Sequence, residues 1–105
     1  MALSAIETLT AYASGETNIH TATNALEVLT VTLVNESGGA GTITGLSKST
    51  TTATQNAAGN LLPAAHPIAN LQVITITGVI MTTDFEFLVL NASVALTCRV
   101  EGMSP

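Results

Sequence analysis

Aromatic side chains are scarce in this sequence. It has no Trp, and its only aromatic residues are Tyr12, Phe85 and Phe87. Each buried aromatic side chain removes about 150–250 Å² from water, so Leu, Ile and Val must supply nearly all of the core. The 105-residue length is typical of a single domain. A domain with so few large side chains is expected to complete its burial against a partner or a copy of itself.

Charged side chains are also few, and basic ones most of all. The chain has two basic residues, Lys48 and Arg99, and seven acidic residues, which gives a net charge of −5. Binding to nucleic acid or to an anionic membrane surface requires clustered Lys and Arg, so neither partner is expected. Charged residues make up 9% of the chain, against roughly 25% in ordinary domains. The many Thr residues predict a hydroxyl-rich surface, which favours an extracellular or assembled structural protein over a cytosolic enzyme.

Cysteine and long apolar runs are nearly missing as well. Cys98 is the single cysteine, which excludes an internal disulfide. The N-terminal MALSAIETLTAYASGE has no basic region and carries Glu7 within its apolar stretch, so it is not expected to be a signal peptide. The longest apolar run falls well short of the ~20 residues of a membrane helix. We therefore expect a soluble protein made in the cytoplasm.

A strand, a turn and a second strand are predicted over residues 28–46. VLTVTLV (28–34) alternates apolar and Thr positions, which is the pattern of a half-buried strand. The turn residues NESGG (35–39) and the return over 41–46 predict a β-hairpin. Gly45 interrupts the return strand, and the apolar residues on either side of it are an odd number of positions apart. This predicts a bulge or a bend at Gly45.

Three further strands are predicted in the last third of the chain. LQVITITGVIM (71–81) is nearly continuously apolar or β-branched, as expected for a central strand covered on both faces. Residues 85–90 alternate after a turn at 82–84. The segment 93–101 has the most regular alternation in the chain, and Gly102 is expected to end it.

The pattern as a whole predicts an all-β domain. We expect residues 1–105 to form one small antiparallel β-sandwich or barrel, with the sandwich favoured. Residues 25–101 would form the core, and residues 1–24 an irregular N-terminal arm, of which 4–13 could instead be a first strand. Residues 47–70 are expected to be a long central loop, which in a compact domain is often functional.

The residues that bind metals are widely separated. His20, His66 and Cys98 could together ligate zinc, but none of them belongs to a short-range ligand pair. We interpret His20 and His66 as loop histidines and Cys98 as a small buried apolar side chain. No metal and no cofactor is expected.

Catalytic patterns are not recognised either. Asp84, the only aspartate, lies in a predicted turn, and Glu86 is predicted to face away from the neighbouring Phe side chains. Gly38, Gly39 and Gly41 are not followed by the Lys-Ser/Thr of a phosphate loop, so they are interpreted as turn residues. We therefore expect a protein that is not an enzyme.

Three segments carry a family resemblance: MALSAIETLTAYASGE, the Thr-rich VLTVTLVNESGGAGTITGL, and the strand-dense VITITGVIM with FEFLVLNASVALTCRVEGM. In these features the chain resembles the decoration, or cement, proteins of tailed-phage capsids. The resemblance implies a virion protein on the capsid surface, often trimeric, made in the host cytoplasm and bound to the major capsid protein. The alternative is a carbohydrate- or receptor-binding module of a phage fibre or a bacterial surface protein.

The side chains predicted to contact a partner lie in the N-terminal segment and the central loop. They are Ile6, Leu9, Tyr12, Leu61, Leu62, His66 and Ile68. Phe85 and Phe87 could anchor an interface too, but core packing is the favoured interpretation for them.

Overall fold

The computed structural model describes residues 4–50, 61–62, 65–82 and 85–104. Within these ranges the chain forms eight strands and no helix. The strands are β1 (Ser4–Tyr12), β2 (Gly15–Thr21), β3 (Leu26–Val34), β4 (Gly41–Ser49), β5 (His66–Ile68), β6 (Val73–Thr82), β7 (Phe87–Ala92) and β8 (Leu96–Ser104).

The strands form two four-stranded antiparallel sheets. The first sheet has the order β1-β8-β3-β6, and the second has the order β2-β7-β4-β5. This confirms the all-β prediction, and the sandwich rather than the barrel. Apart from β4 and β5, strands that follow each other in the chain lie in opposite sheets.

The core lies between the sheets and is aliphatic. Its largest fully buried apolar side chains are Leu29, Leu33, Ile43, Leu46, Ile68, Met81, Leu88 and Leu90. The expectation that Phe85 packs in the core is wrong, since 38% of its side chain is exposed. On β7 the face toward the core is the one that carries Leu88 and Leu90, and Phe87 is only half-buried.

The predicted hairpin over 28–46 is wrong, although both of its strands exist. β3 pairs with β6 and β8, whereas β4 pairs with β5 and β7, so residues 35–40 cross from one sheet to the other. β3 buries its apolar face in the core from the first sheet, and β4 does so from the second sheet. The irregularity at Gly45 is confirmed, because the register between β4 and β7 shifts between Ile43 and Gly45.

β6 is an edge strand and not the central strand that its apolar sequence predicts. Its register with β3 shifts at Gly78, which has a φ of +69°. Val31 lies opposite Ile76 and Leu29 lies opposite Val79, so β6 contains one extra residue at this point. Gly78 therefore marks a β-bulge.

β8 does not end at Gly102 but continues to Ser104. A side chain at Gly102 would overlap the carbonyl oxygen of Val28 on β3. Glycine is therefore needed here for close approach of two backbones, and not to stop the strand.

The expectation of an irregular arm over residues 1–24 is wrong for most of the described residues, and the alternative of a first strand within 4–13 is confirmed. β1 pairs with β8 over its whole length, and β2 pairs with β7. The predicted central loop, 47–70, is shorter at both ends, because β4 extends to Ser49 and β5 occupies His66–Ile68. The rest of that loop lies partly outside the described residues, as does most of the predicted turn at 82–84.

Candidate interaction surface

An apolar row crosses the outer face of the first sheet. The pairing of β8, β3 and β6 places Met103, Val28 and Ile80 side by side. Their side chains are 51%, 46% and 48% exposed. Leu26, two residues before Val28 on the same face of β3, is 40% exposed. We call Leu26, Val28, Ile80 and Met103 the apolar row.

The row follows from strand alternation. Leu29, Val31 and Leu33 point into the core, so the residues between them, and Val28 before them, must point outward. Monomeric proteins seldom expose large contiguous apolar patches, and those that they do expose are often binding sites. The apolar row is therefore the strongest candidate for a surface that another protein covers.

A small group of charged residues borders the row. Beside the row, Glu7 on β1 pairs with Glu101 on β8, and Glu101 pairs in turn with the uncharged Thr30 on β3. Arg99 Nη2 is 3.3 Å from Glu7 Oε1 and 3.6 Å from Glu101 Oε2. These side chains are largely exposed, so the pairs add little to stability. An apolar centre with a polar rim is the usual composition of a protein interface.

The N-terminal residues predicted to contact a partner lie on both faces of β1. Leu9 points outward and is 69% exposed. Ile6 and Tyr12 are half-buried and pack against the core. Tyr12 Oη donates a hydrogen bond to the carbonyl oxygen of Ile19 at 3.2 Å, which ties β1 to β2.

The predicted contact residues of the central segment are mostly covered. Leu61 and Leu62 are partly buried against the core. His66 is half-buried, with Nδ1 2.9 Å from the carbonyl oxygen of Pro67. Ile68 is fully buried, so within this fold its side chain packs in the core and offers no surface. Leu9 is thus the one predicted contact residue that ranks among the well-exposed large apolar side chains.

His20 lies in β2 and His66 in β5, so the loop interpretation is wrong for both histidines. His20 Nε2 is 2.6 Å from Oε1 of Glu27, a carboxylate that is only 1% exposed. Glu27 Oε2 accepts hydrogen bonds from Thr23 N at 3.1 Å and Asn24 Nδ2 at 2.9 Å. The pair joins the second sheet at β2 to the first sheet at β3.

The hydrogen bonds set the protonation of this carboxyl group. Burial alone would raise the pKa of Glu27, but the bonds from His20, Asn24 and Thr23 outweigh it and hold the pKa below its ordinary value. The contribution of Glu27 to stability is therefore fully present above the unfolded-state pKa. It is lost as the pH falls through the lower folded-state pKa.

Acid titration tests this linkage. The free energy of unfolding should decrease as the pH falls below about 4.5, the ordinary pKa of a glutamate. Glu27→Gln should remove part of that decrease and cost about 1–3 kcal/mol at neutral pH, because buried hydrogen bonds to a charged group are lost. Urea unfolding of both proteins across acidic pH measures the effect.

The matched variant is Glu7→Gln, which removes a carboxylate from an exposed ion pair. It should lower the free energy of unfolding at neutral pH much less than Glu27→Gln does. Equal losses in the two variants would contradict a special role for the buried carboxylate.

Cys98 is 1% exposed, on the inward face of β8. Burial raises the pKa of its thiol to about 12, so the thiol stays protonated and unreactive at neutral pH. Its interpretation as a small buried apolar side chain is confirmed.

Among the described residues, no group of three or more His, Cys, Asp or Glu side chains is placed to hold a metal ion. The same part of the chain contains no detected cavity. It also contains no helix with the length and apolar character needed to cross a membrane.

No protein-family model matches this sequence, and a comparison with curated proteins also gives no match. A function must therefore be inferred from the fold and from the apolar row.

Proposed function

We propose that this chain is a structural protein of a virion that decorates or cements a capsid shell through non-covalent contacts. The observation that carries the proposal is the apolar row on the outer face of the first sheet. Its four side chains are 40–51% exposed, and contact with a second protein would remove them from water.

The proposed contact is mechanical, not catalytic. The major capsid protein, the proposed partner, would cover the row with apolar side chains of its own, while Glu7, Arg99 and Glu101 remain at the wet rim. Fully burying one aliphatic side chain is worth about 1.5–3 kcal/mol, and the row is already half-covered. Each copy would therefore bind modestly, and the symmetry of a shell would sum many such contacts.

A double variant that makes the apolar row polar tests the proposed attachment to a capsid shell. Val28→Thr combined with Met103→Gln keeps similar side-chain volumes and outward positions but makes the surface polar. Attachment to empty shells assembled from the major capsid protein of the same genome should weaken roughly 5- to 30-fold, since about 1–2 kcal/mol of apolar burial is lost. Co-sedimentation with the shells measures attachment.

Val73→Thr is the matched control, because it makes the same kind of change at the far end of the same face, where Val73 is 55% exposed. It should leave attachment unchanged. Undiminished attachment of the double variant would contradict the proposal. Strong binding of the isolated protein on a glycan array would favour the carbohydrate-binding alternative instead.

A further inference from the structure

Among the described strands, four lie at sheet edges: β1 and β6 in the first sheet, β2 and β5 in the second. An open edge offers backbone N–H and C=O groups to any other strand, so natural proteins protect edges with charges, prolines, short strands or β-bulges. Three of these edges have a charge or a proline. β1 carries Glu7, β2 carries Glu16, and β5 has three residues that include Pro67. β6 has a bulge at Gly78 instead.

β6 differs from the other three. Its ten residues, VITITGVIMT, include no charged residue, histidine or proline. Val73 and Ile80 on its outer face are 55% and 48% exposed, and most of the strand is β-branched, which favours pairing. β6 itself therefore carries no charge in a chain with a net charge of −5.

Among the described residues, one side chain donates a hydrogen bond to the open side of β6. Lys48 Nζ, reaching over from β4, donates a hydrogen bond to the carbonyl oxygen of Ile80 at 3.1 Å. Within residues 4–50, 61–62, 65–82 and 85–104, no strand pairs with that side of β6. A single hydrogen bond from a lysine at the surface has a small net energy, so a strand can displace it.

We propose that two copies of this chain pair antiparallel through their β6 edges and form a two-fold dimer. The two four-stranded first sheets would then make one continuous sheet of eight strands. A second copy is favoured as the occupant because β6 carries no charged residue that would face the same strand of another copy, and because its bulge lets it pair with itself in register.

The bulge makes β6 complementary to itself. At Gly78 the alternation reverses, so Ile76 before it and Val79 after it both face the core. With the two-fold axis at the bulge, Ile76 lies opposite Val79 of the second copy, and Thr75 lies opposite Ile80. Inward residues thus meet inward residues, and exposed residues meet exposed residues.

The dimer goes beyond the proposed attachment to a shell and does not depend on it. Edge pairing keeps the outer faces of both first sheets on the same side, so the two apolar rows would point the same way. Its symmetry is two-fold, and it is proposed in place of the three-fold assembly that the family resemblance implies.

The mass in solution tests the proposal. Sedimentation velocity of the full chain over a range of concentrations should give twice the chain mass of 10.7 kDa. Thr75→Lys places a charge against the second copy, close to its Lys48, and should weaken dimerisation roughly 100-fold. Leu9→Lys makes the same charge change at an outward position on β1, the opposite edge of the same sheet, and should leave the dimer intact.

Backbone amide exchange of the wild-type chain gives a second readout that needs no variant. The amides of β6 should exchange more slowly at high than at low protein concentration, whereas those of β1 should not change. A monomer at all concentrations, a trimer, an undisturbed dimer of a folded Thr75→Lys protein, or β6 exchange independent of concentration would each overturn the proposal.

Discussion

Gly102→Ala should destabilise the protein by about 3–5 kcal/mol, near the upper end of single-residue effects. A Cβ at this position would overlap the carbonyl oxygen of Val28 and lie 2.9 Å from the Cα of Leu29. Both contacts are backbone atoms of β3, which sits between β8 and β6. They cannot move aside by a change of rotamer, so the substitution must push two paired strands apart.

Gly39→Ala is the control variant for Gly102→Ala. Gly39 has no atom within 4 Å of an added Cβ and no positive φ, so this variant should unfold within about 0.5 kcal/mol of the wild type. Because a domain of this size has roughly 5–15 kcal/mol of stability in total, Gly102→Ala could leave too little folded protein to purify. Chemical denaturation compares the two variants, and similar midpoints would contradict the close approach of β8 and β3.

Asn35→Ala should cost about 3–4 kcal/mol, because a fully buried amide holds together two segments of chain. Its Nδ2 donates to the carbonyl oxygens of Gly39 at 2.8 Å and of Ile68 and Ala69 at 3.2 Å. Its Oδ1 accepts from Ser37 N at 3.1 Å and Ser37 Oγ at 2.6 Å. Alanine would leave the buried carbonyl group of Ile68 without this partner.

Asn70→Ala is the comparison, since Asn70 is exposed and its Oδ1 accepts one bond, from Gly38 N at 3.1 Å. It removes the same amide from the same end of the sandwich and should cost less than about 1 kcal/mol. Thermal unfolding of the two variants separates a buried structural amide from a surface one. Equal losses would mean that the network around Asn35 contributes little.

Strand positions could be predicted from the sequence, because alternation reports one buried face. The alternation of Leu29, Val31 and Leu33 in β3, and of Leu96, Cys98 and Val100 in β8, has the phase found in the structure. Partner choice could not be predicted in the same way. Residues 35–40 contain turn residues whether the chain returns in the same sheet or crosses to the other, so the hairpin and the crossing have the same local signature.

The edge position of β6 could not be predicted from the sequence for a related reason. A run such as VITITGVIM is apolar whether another sheet or solvent covers its second face. The sequence does not reveal that β6 pairs with only one of the described strands. Gly78 was the available signal, because a glycine inside a strand often marks a bulge.

Strand alternation in the sequence indicates the orientation of both the apolar row and the buried Glu27 carboxylate. Val28 is out of phase with the core residues of β3, which places it outside. Glu27 is in phase with Leu29 and therefore had to point inward, where a carboxylate needs partners. That His20 is one of those partners depends on the connection between the sheets, which no pattern in the sequence indicates.

The position of β8 in the first sheet affects how the chain folds during its synthesis. β8 is the last of the eight strands to leave the ribosome, yet it lies between β1 and β3 and pairs with both. Until residues 96–104 emerge, β1 lacks the one described strand that pairs with it and β3 keeps one side open, so a nascent chain cannot complete this layer. Chains that stall before this point would expose unpaired apolar strands and should be prone to aggregate.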